Sequence, residues 1–315
     1  MNESRATVLQ LCPFSPYLEA GLSQRFEVVR WFTLDADTQR AWLKQRAASV
    51  RAVVTGGHIG CANELIEALP ALGIIAINGV GIDKVDANVA RARNVRVTTT
   101  PGVLTEDVAD LAIGLIIALL RNIPAADAYV RSGRWPDGDM PLASKVSGRR
   151  FGIVGLGRIG AAIAERLTPF GRVAYTNLER KPCAYEFHED VISLARASDV
   201  LIIASSANAS THHLIDASVL QALGPRGYLV NVARGSIVDE AALVAALESG
   251  ALAGAALDVF ADEPNVPAAL RAHPSVVLTP HIASATVETR MLMADAVLAN
   301  LDAFLAGQAL PGAVI

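Results

Sequence analysis

Short apolar runs alternate with amphipathic stretches along most of the 315-residue chain. Val8 to Leu11, Ala52 to Thr55, Ile74 to Ile77 and Val95 to Thr98 are compact and dominated by aliphatic residues, which predicts buried strands. Helical segments are expected between them near Thr38 to Ala47, Asn63 to Leu69 and Val85 to Arg93. A second series begins at Phe151 and continues through Val173 to Thr176, Val200 to Ala204, Tyr228 to Val232, Ala255 to Val259 and Val276 to Leu278. Strands and helices in alternation predict an α/β fold with two doubly wound parallel sheets. After Thr286 comes one more helical stretch, with Met291, Ala294, Val297, Leu298, Leu301 and Leu305 on one face, and then a short tail. A single helix and tail cannot enclose a core, so they are expected to return to the first series. The expected organisation is therefore a flavodoxin-like domain of residues 1–98 and 286–315, into which a second domain, 99–285, is inserted. Two crossings, near Thr99-Thr100-Pro101 and near His281 to Ala285, would form a hinge, with ligand in the cleft between the domains.

The inserted domain carries a glycine turn, Gly155-Leu156-Gly157-Arg158-Ile159-Gly160, between the strand Phe151 to Val154 and a helical stretch from Ile159 to Phe170. That context fits a Rossmann dinucleotide site. Gly155 makes the tight turn, Gly157 lets backbone approach a pyrophosphate, Gly160 allows close helix packing, and the helix start offers unpaired N–H groups to the anion. At the end of the next strand, Val173 to Asn177, an NAD enzyme would place an acid for the ribose 2′-hydroxyl. Asn177 stands there, with Arg180 and Lys181 close by, so a 2′-phosphate is attracted and NADPH is expected over NADH. Glu179 is the one nearby acid that could replace the missing acceptor.

Downstream lie, in order, Arg234 in Asn231-Val232-Ala233-Arg234-Gly235, Glu263 in Asp262-Glu263-Pro264 and His281 in Thr279-Pro280-His281. A fixed cation, a carboxylate and an imidazole, following a pyrophosphate cradle, are the parts needed to pass a hydride and a proton to a small 2-oxo acid. Arg234 would hold the substrate carboxylate or carbonyl oxygen and stabilise developing negative charge. His281 would donate the proton, and Glu263 would fix its ring through the other nitrogen and favour its charged form. His58, His188, His212, His213 and His273 lack such company and are expected at the surface or in loops.

Composition narrows the field further. With 52% hydrophobic residues each domain can bury a large core, and a net charge of -4 lacks the basic excess of a nucleic-acid binder. Cys12, Cys61 and Cys183 are scattered, with no metal-ligand spacing, which suits a reducing cytoplasm and no structural metal. Met1 to Thr7 leads directly into Val8 to Leu11 without a signal-peptide pattern. Val108 to Leu120, the longest apolar stretch, contains Asp110 and Gly114 and is too short to span a bilayer. Being apolar on nearly every side, and followed by Trp135 in a Gly- and Pro-containing loop, it predicts a homodimer interface and no membrane contact.

Gly155 to Gly160, Asn231 to Gly235, Asp258-Val259-Phe260 with Asp262-Glu263-Pro264, and Thr279-Pro280-His281-Ile282-Ala283-Ser284 together resemble the D-isomer-specific 2-hydroxyacid dehydrogenases over nearly the whole chain. Asn78 to Asp83, Val103 to Asp110 and Val130 to Trp135 are most similar to the glyoxylate/hydroxypyruvate reductase and hydroxyphenylpyruvate reductase branch. The resemblance implies that residues 1–98 and 286–315 form a substrate domain and 99–285 the dinucleotide-binding domain. It implies reduction of a small 2-oxo acid, glyoxylate or hydroxypyruvate first, to the D-2-hydroxy acid, with bulkier aryl or sugar-derived 2-oxo acids behind them. It places the backbone of Val80-Gly81 against the substrate carboxylate, with Ser284 as a further substrate contact. Val232, Ala233 and Asp258 are implied to face the cofactor, and Trp135 to reach toward a partner's substrate site. A nucleotide-sensing regulator on the same scaffold is the rival class, and a formate- or phosphite-oxidising relative is disfavoured by Asn177 in place of an acid. Where the family has a Leu-Thr-Pro run beside the adenine, this chain has Ala207-Asn208-Ala209, and loss of that Pro is expected to free the backbone there and loosen the adenine pocket.

Overall fold

The computed structural model describes residues 5–315; Met1–Ser4, read above as the lead-in to the first strand, lie outside the described residues. The chain separates into two compact units, one running to Leu104 and resuming at Thr286–Ile315, the other Thr105–Ala285. The first crossing thus falls after Leu104, where the sequence reading placed it after Thr98. Thr98, Thr99 and Thr100 are buried in the first unit, where Thr99 N donates to Gly312 O and Thr100 N to Gly79 O.

The first unit holds a parallel sheet of order β2-β1-β3-β4-β5, comprising β1 (Thr7–Gln10), β2 (Glu27–Arg30), β3 (Val50–Gly56), β4 (Ile74–Asn78) and β5 (Arg96–Thr98). Its inner strands centre on short apolar runs because both faces are covered. Alternate residues enter opposite cores: Leu9, Val53 and Ile75 join one cluster, Val8, Val54 and Ile74 the other. The helix Val287–Leu305 closes the second cluster through Ala294, Val297, Leu298 and Leu301. Met291 and Leu305, expected on that face, lie near its two ends and are 42% and 39% exposed. The tail after it lies on β5, with Val314 N donating to Val97 O.

Sequence patterning missed β2 and the helix Pro16–Arg25. β2 is an edge strand with no buried residue, and the helix buries only Leu18 and Leu22, so neither needs a strong apolar period. That helix starts from Ser15, which accepts from Leu18 N, followed by Pro16 in the first turn.

The second unit holds a seven-stranded parallel sheet of order β12-β11-β10-β9-β6-β7-β8. Its strands are β6 (Arg149–Val154), β7 (Gly171–Thr176), β8 (Glu186–His188), β9 (Val200–Ile203), β10 (Tyr228–Asn231), β11 (Gly254–Leu257) and β12 (Val276–Leu278). The short edge strand β8 was not anticipated. The order reverses direction between β6 and β9, and the crevice outside their carboxyl ends is where such sheets bind ligands. The helix Thr105–Leu120 packs on β10, β11, β12 and the helix Arg158–Leu167, where Arg166 pairs with Glu106 (2.5 Å) and Asp110 (2.7 Å). Among the described residues no single helix is long and apolar enough to cross a membrane; Thr105–Leu120 and Ile123–Arg131 pass by length and composition only as a pair bent by 61°.

Candidate active site

The glycine turn leaves β6 and enters the helix Arg158–Leu167 as expected from the sequence. A Cβ on Gly155 would lie 2.6 Å from the Ser205 backbone, and one on Gly160 would lie 2.1 Å from Gly155 O, so both positions exclude any side chain. Gly157, by contrast, faces open space. It caps the helix with no side-chain bond, and the first intrahelical bond is from Ala161 N to Gly157 O. The amides of Arg158, Ile159 and Gly160 therefore remain as anion donors at the helix start. Ser205 Oγ, beside Gly155, is buried without a partner. A space bounded by glycine, open amides and an orphan hydroxyl fits a dinucleotide pyrophosphate.

Asn177 follows β7, and its Nδ2 donates to Glu179 O at 3.1 Å. Leu178, Glu179, Arg180 and Lys181 are all exposed. Farther along, the loop at Ala207-Asn208-Ala209, where the Pro is missing, is braced by side-chain hydrogen bonds. Asn208 Oδ1 accepts from Ser210 N, Asn208 N donates to Thr211 Oγ1, and that hydroxyl donates to Ser206 O. An Asx turn replaces the ring constraint.

Arg234, Glu263 and His281 follow β10, β11 and β12, which are neighbours and parallel, so the segments that carry them emerge at one end of the sheet. Arg234 follows β10. Asn231 steers that segment by accepting from Ala233 N (3.0 Å) and donating to Arg234 O (2.9 Å). Gly235 must lack a side chain because a Cβ there would lie 1.9 Å from the Phe260 carbonyl carbon. Glu263, in the loop after β11, accepts from Phe260 N through Oε1 (3.0 Å) and meets His281 Nδ1 through Oε2 (2.7 Å). An ionised carboxylate can only accept, so Nδ1 carries the hydrogen and a proton delivered to a ligand leaves from Nε2. The pair is partly buried, with 33% of the His281 and 23% of the Glu263 side chain exposed.

His281 has φ 53, a left-handed conformation unusual for a residue with a side chain. Asp258 holds it there. Fully buried at the end of β11, Asp258 accepts from Thr279 Oγ1 (2.7 Å) and Ile282 N (2.8 Å) through Oδ1 and from Ala283 N (3.0 Å) through Oδ2. Its own carbonyl accepts from His281 N at 2.8 Å. Burial pushes its carboxyl above the ordinary range, against the three donors, which favour the charged form. Expected to face a cofactor, Asp258 thus turns its carboxylate onto the 279–283 turn, and this bracing was not legible in sequence.

The remaining candidates fall as follows. Val232 is buried, Ala233 and Ser284 are half-buried, and all lie in the second unit with the trio. Val80 and Gly81 lie in the first unit, after β4, and no acceptor within the described residues takes their amides. Of the other histidines, His58, His212 and His213 are exposed and His273 Nδ1 accepts from Ser275 N, whereas His188 sits half-buried in β8 rather than in a loop. Among the described residues no group of His, Cys, Asp and Glu could hold a metal ion.

Residues 113–283 match the D-isomer specific 2-hydroxyacid dehydrogenase, NAD binding domain. The chain is 50% identical over 305 residues to the hydroxyphenylpyruvate reductase of Plectranthus scutellarioides, across 96% of this chain and 97% of that protein. It is 47% identical, with the same coverage, to glyoxylate/hydroxypyruvate reductase A of Arabidopsis thaliana. The NADPH-dependent glyoxylate/hydroxypyruvate reductase of Sinorhizobium meliloti, solved with NADP and malonate, superposes with a TM-score of 0.91 at 42% identity, covering 99% of this chain and 97% of that one.

Proposed function

The chain belongs to the D-isomer-specific 2-hydroxyacid dehydrogenases, oxidoreductases that reduce 2-oxo acids to 2-hydroxy acids, and from that premise we propose an NADPH-preferring reductase of glyoxylate and hydroxypyruvate. The observation that carries the reading is the 2.7 Å contact of Glu263 with His281 Nδ1, at the end of the sheet where Arg234 also emerges. When bound, the nicotinamide cofactor supplies the hydride. Val80 and Gly81 amides take the substrate carboxylate, and Arg234 draws negative charge onto the carbonyl oxygen as its carbon accepts the hydride. His281 delivers the Nε2 proton to that oxygen while Glu263 holds the ring, and solvent restores the proton. Ser284 adds a substrate contact. Leu156, the amides of Arg158 and Ile159, the three turn glycines, and Val232 and Ala233 line the cofactor.

The absence of an acid at Asn177, and the cation at Arg180, support NADPH. Three free cysteines suit the cytoplasm. The kcat/KM ratio of NADPH to NADH tests the cofactor. We expect it to exceed about tenfold, and Asn177→Asp to pull it toward NADH by like-charge repulsion of the 2′-phosphate. A wild-type preference for NADH would make Glu179 the ribose acceptor instead. Chiral analysis of the glycerate formed from hydroxypyruvate should show the D isomer; the L isomer would contradict the proposed delivery of hydride.

A further inference from the structure

The helix Val287–Leu305 carries, near its start, a guanidinium that the reaction above does not use. Arg290 is half-buried, and among the described residues neither a carboxylate nor any other acceptor meets its side chain. Acids along the same helix are otherwise occupied or outward: Glu288 is exposed, Asp295 accepts from Tyr17, and Asp302 pairs with Arg25. Burial, with no compensating partner, lowers its pKa from the usual arginine value. A half-buried charge without a counter-group is costly in a resting protein, and it calls for oxygen ligands that arrive from solution.

Its place follows from how the helix lies on the sheet. Phe304, near the far end of the helix, meets Gly73 just before β4, and Asn300 accepts from Gly312 N, itself beside Thr99. At 1.5 Å per residue, Arg290 stands about 21 Å along the helix from Phe304, whereas the five residues of β4 span roughly 17 Å. The start of the helix therefore passes the carboxyl end of β4, and Thr289 Oγ1 donating to Val103 O fixes it there. The same end of the same unit holds the amides of Val80 and Gly81. It also holds two orphaned polar atoms, Asn78 Oδ1 and Thr100 Oγ1, on either side of Gly79, whose carbonyl accepts from Thr100 N.

We propose that Arg290 is a specificity-determining residue that donates to oxygen on carbon 3 and beyond of a 2-oxo acid, so that hydroxypyruvate and longer polyhydroxy 2-oxo acids are favoured over pyruvate. The proposal rests on the 2-oxo acid reading above. With the substrate carboxylate taken by the Val80 and Gly81 amides of the same unit and the carbonyl engaged in the reaction, the oxygens left for Arg290 to recognise are those on the rest of the carbon chain. A guanidinium offers them several donors in a planar fork, and the orphan Asn78 oxygen can accept a hydroxyl hydrogen in return. A methyl group at carbon 3 would leave all of these groups unmet, which is how a polar site rejects an isosteric apolar substrate.

The test uses wild type, Arg290→Met and Arg290→Lys with glyoxylate, pyruvate and hydroxypyruvate, monitored by NADPH oxidation. Wild type should favour hydroxypyruvate over pyruvate in kcat/KM, and Arg290→Met should cut that ratio about 10- to 100-fold, mainly through KM. Glyoxylate, which has no carbon 3, should change less than about threefold, the spread of an uninvolved site. Arg290→Lys, keeping the charge but losing the fork, should fall between. It also serves as the test should the Met variant not fold, as judged by Tm. An unchanged ratio, or a loss that falls equally on glyoxylate, overturns the role of Arg290 alone. If wild type reduces none of the three, the functional reading falls and this inference with it.

Discussion

Asp258 holds the turn that carries His281, and in the proposed mechanism it touches no reacting atom. Its carboxylate gathers Thr279, Ile282 and Ala283 around a residue held at φ 53. In Asp258→Asn one oxygen becomes an NH2 group that cannot accept. Keeping the two bonds to Oδ1 then sets the new NH2 against Ala283 N–H. A buried unmet donor costs about 1–3 kcal/mol, and a loosened turn should lower kcat by roughly 10- to 100-fold with the NADPH Kd little changed. Equal kcat in the variant would mean the turn holds itself. Arg234, Glu263 and His281 stood out in the sequence because the proposed chemistry permits few residue types: a fixed cation, a carboxylate and an imidazole in order. Asp258 was not legible as a brace because its partners are mostly backbone amides, which leave no side-chain signature. Arg290 escaped for a related reason, since a single arginine on an amphipathic helix looks solvated until its surroundings are known.

At the scale of elements, the β6–turn–helix unit was readable because its glycines have steric reasons. Gly160→Ala puts a Cβ about where Gly155 O already sits, 2.1 Å away, and backbone cannot step aside as a flexible side chain would. The helix should shift and its open amides move off the pyrophosphate, weakening NADPH binding by at least about tenfold, or ~1.4 kcal/mol. Fluorescence titration of NADPH measures this, and an unaltered Kd would contradict the close packing of helix on strand. Elements buried on both faces, such as β1 and β3, announced themselves as apolar runs, whereas β2, β8 and the helix Pro16–Arg25 did not. Half-exposed edge strands and a helix with two buried residues carry little periodicity to read. At Asn208 a lost Pro was visible in the sequence, while the side-chain hydrogen bonds that brace the loop were not.

At the scale of the whole molecule, the alternating pattern revealed two sheets and the return of the last helix, while the exact crossing at Leu104 depended on which threonines the first core absorbs. The segment 121–142 presents Ile123, Val130, Trp135 and Leu142 to solvent, and the helix Ile123–Arg131 buries no residue. Such an apolar surface fits a second copy of the chain, and light scattering should give about twice 33.0 kDa, with Val130→Glu shifting it toward the monomer. A stable monomer at micromolar concentration would remove the dimer. The chemistry itself is tested most directly by steady-state NADPH oxidation with glyoxylate and hydroxypyruvate, comparing wild type with His281→Ala and measuring NADPH binding to both. Wild type should turn over robustly, and the variant should lose roughly 10²- to 10⁴-fold with cofactor affinity nearly intact. Near wild-type turnover without the imidazole would contradict proton delivery by His281.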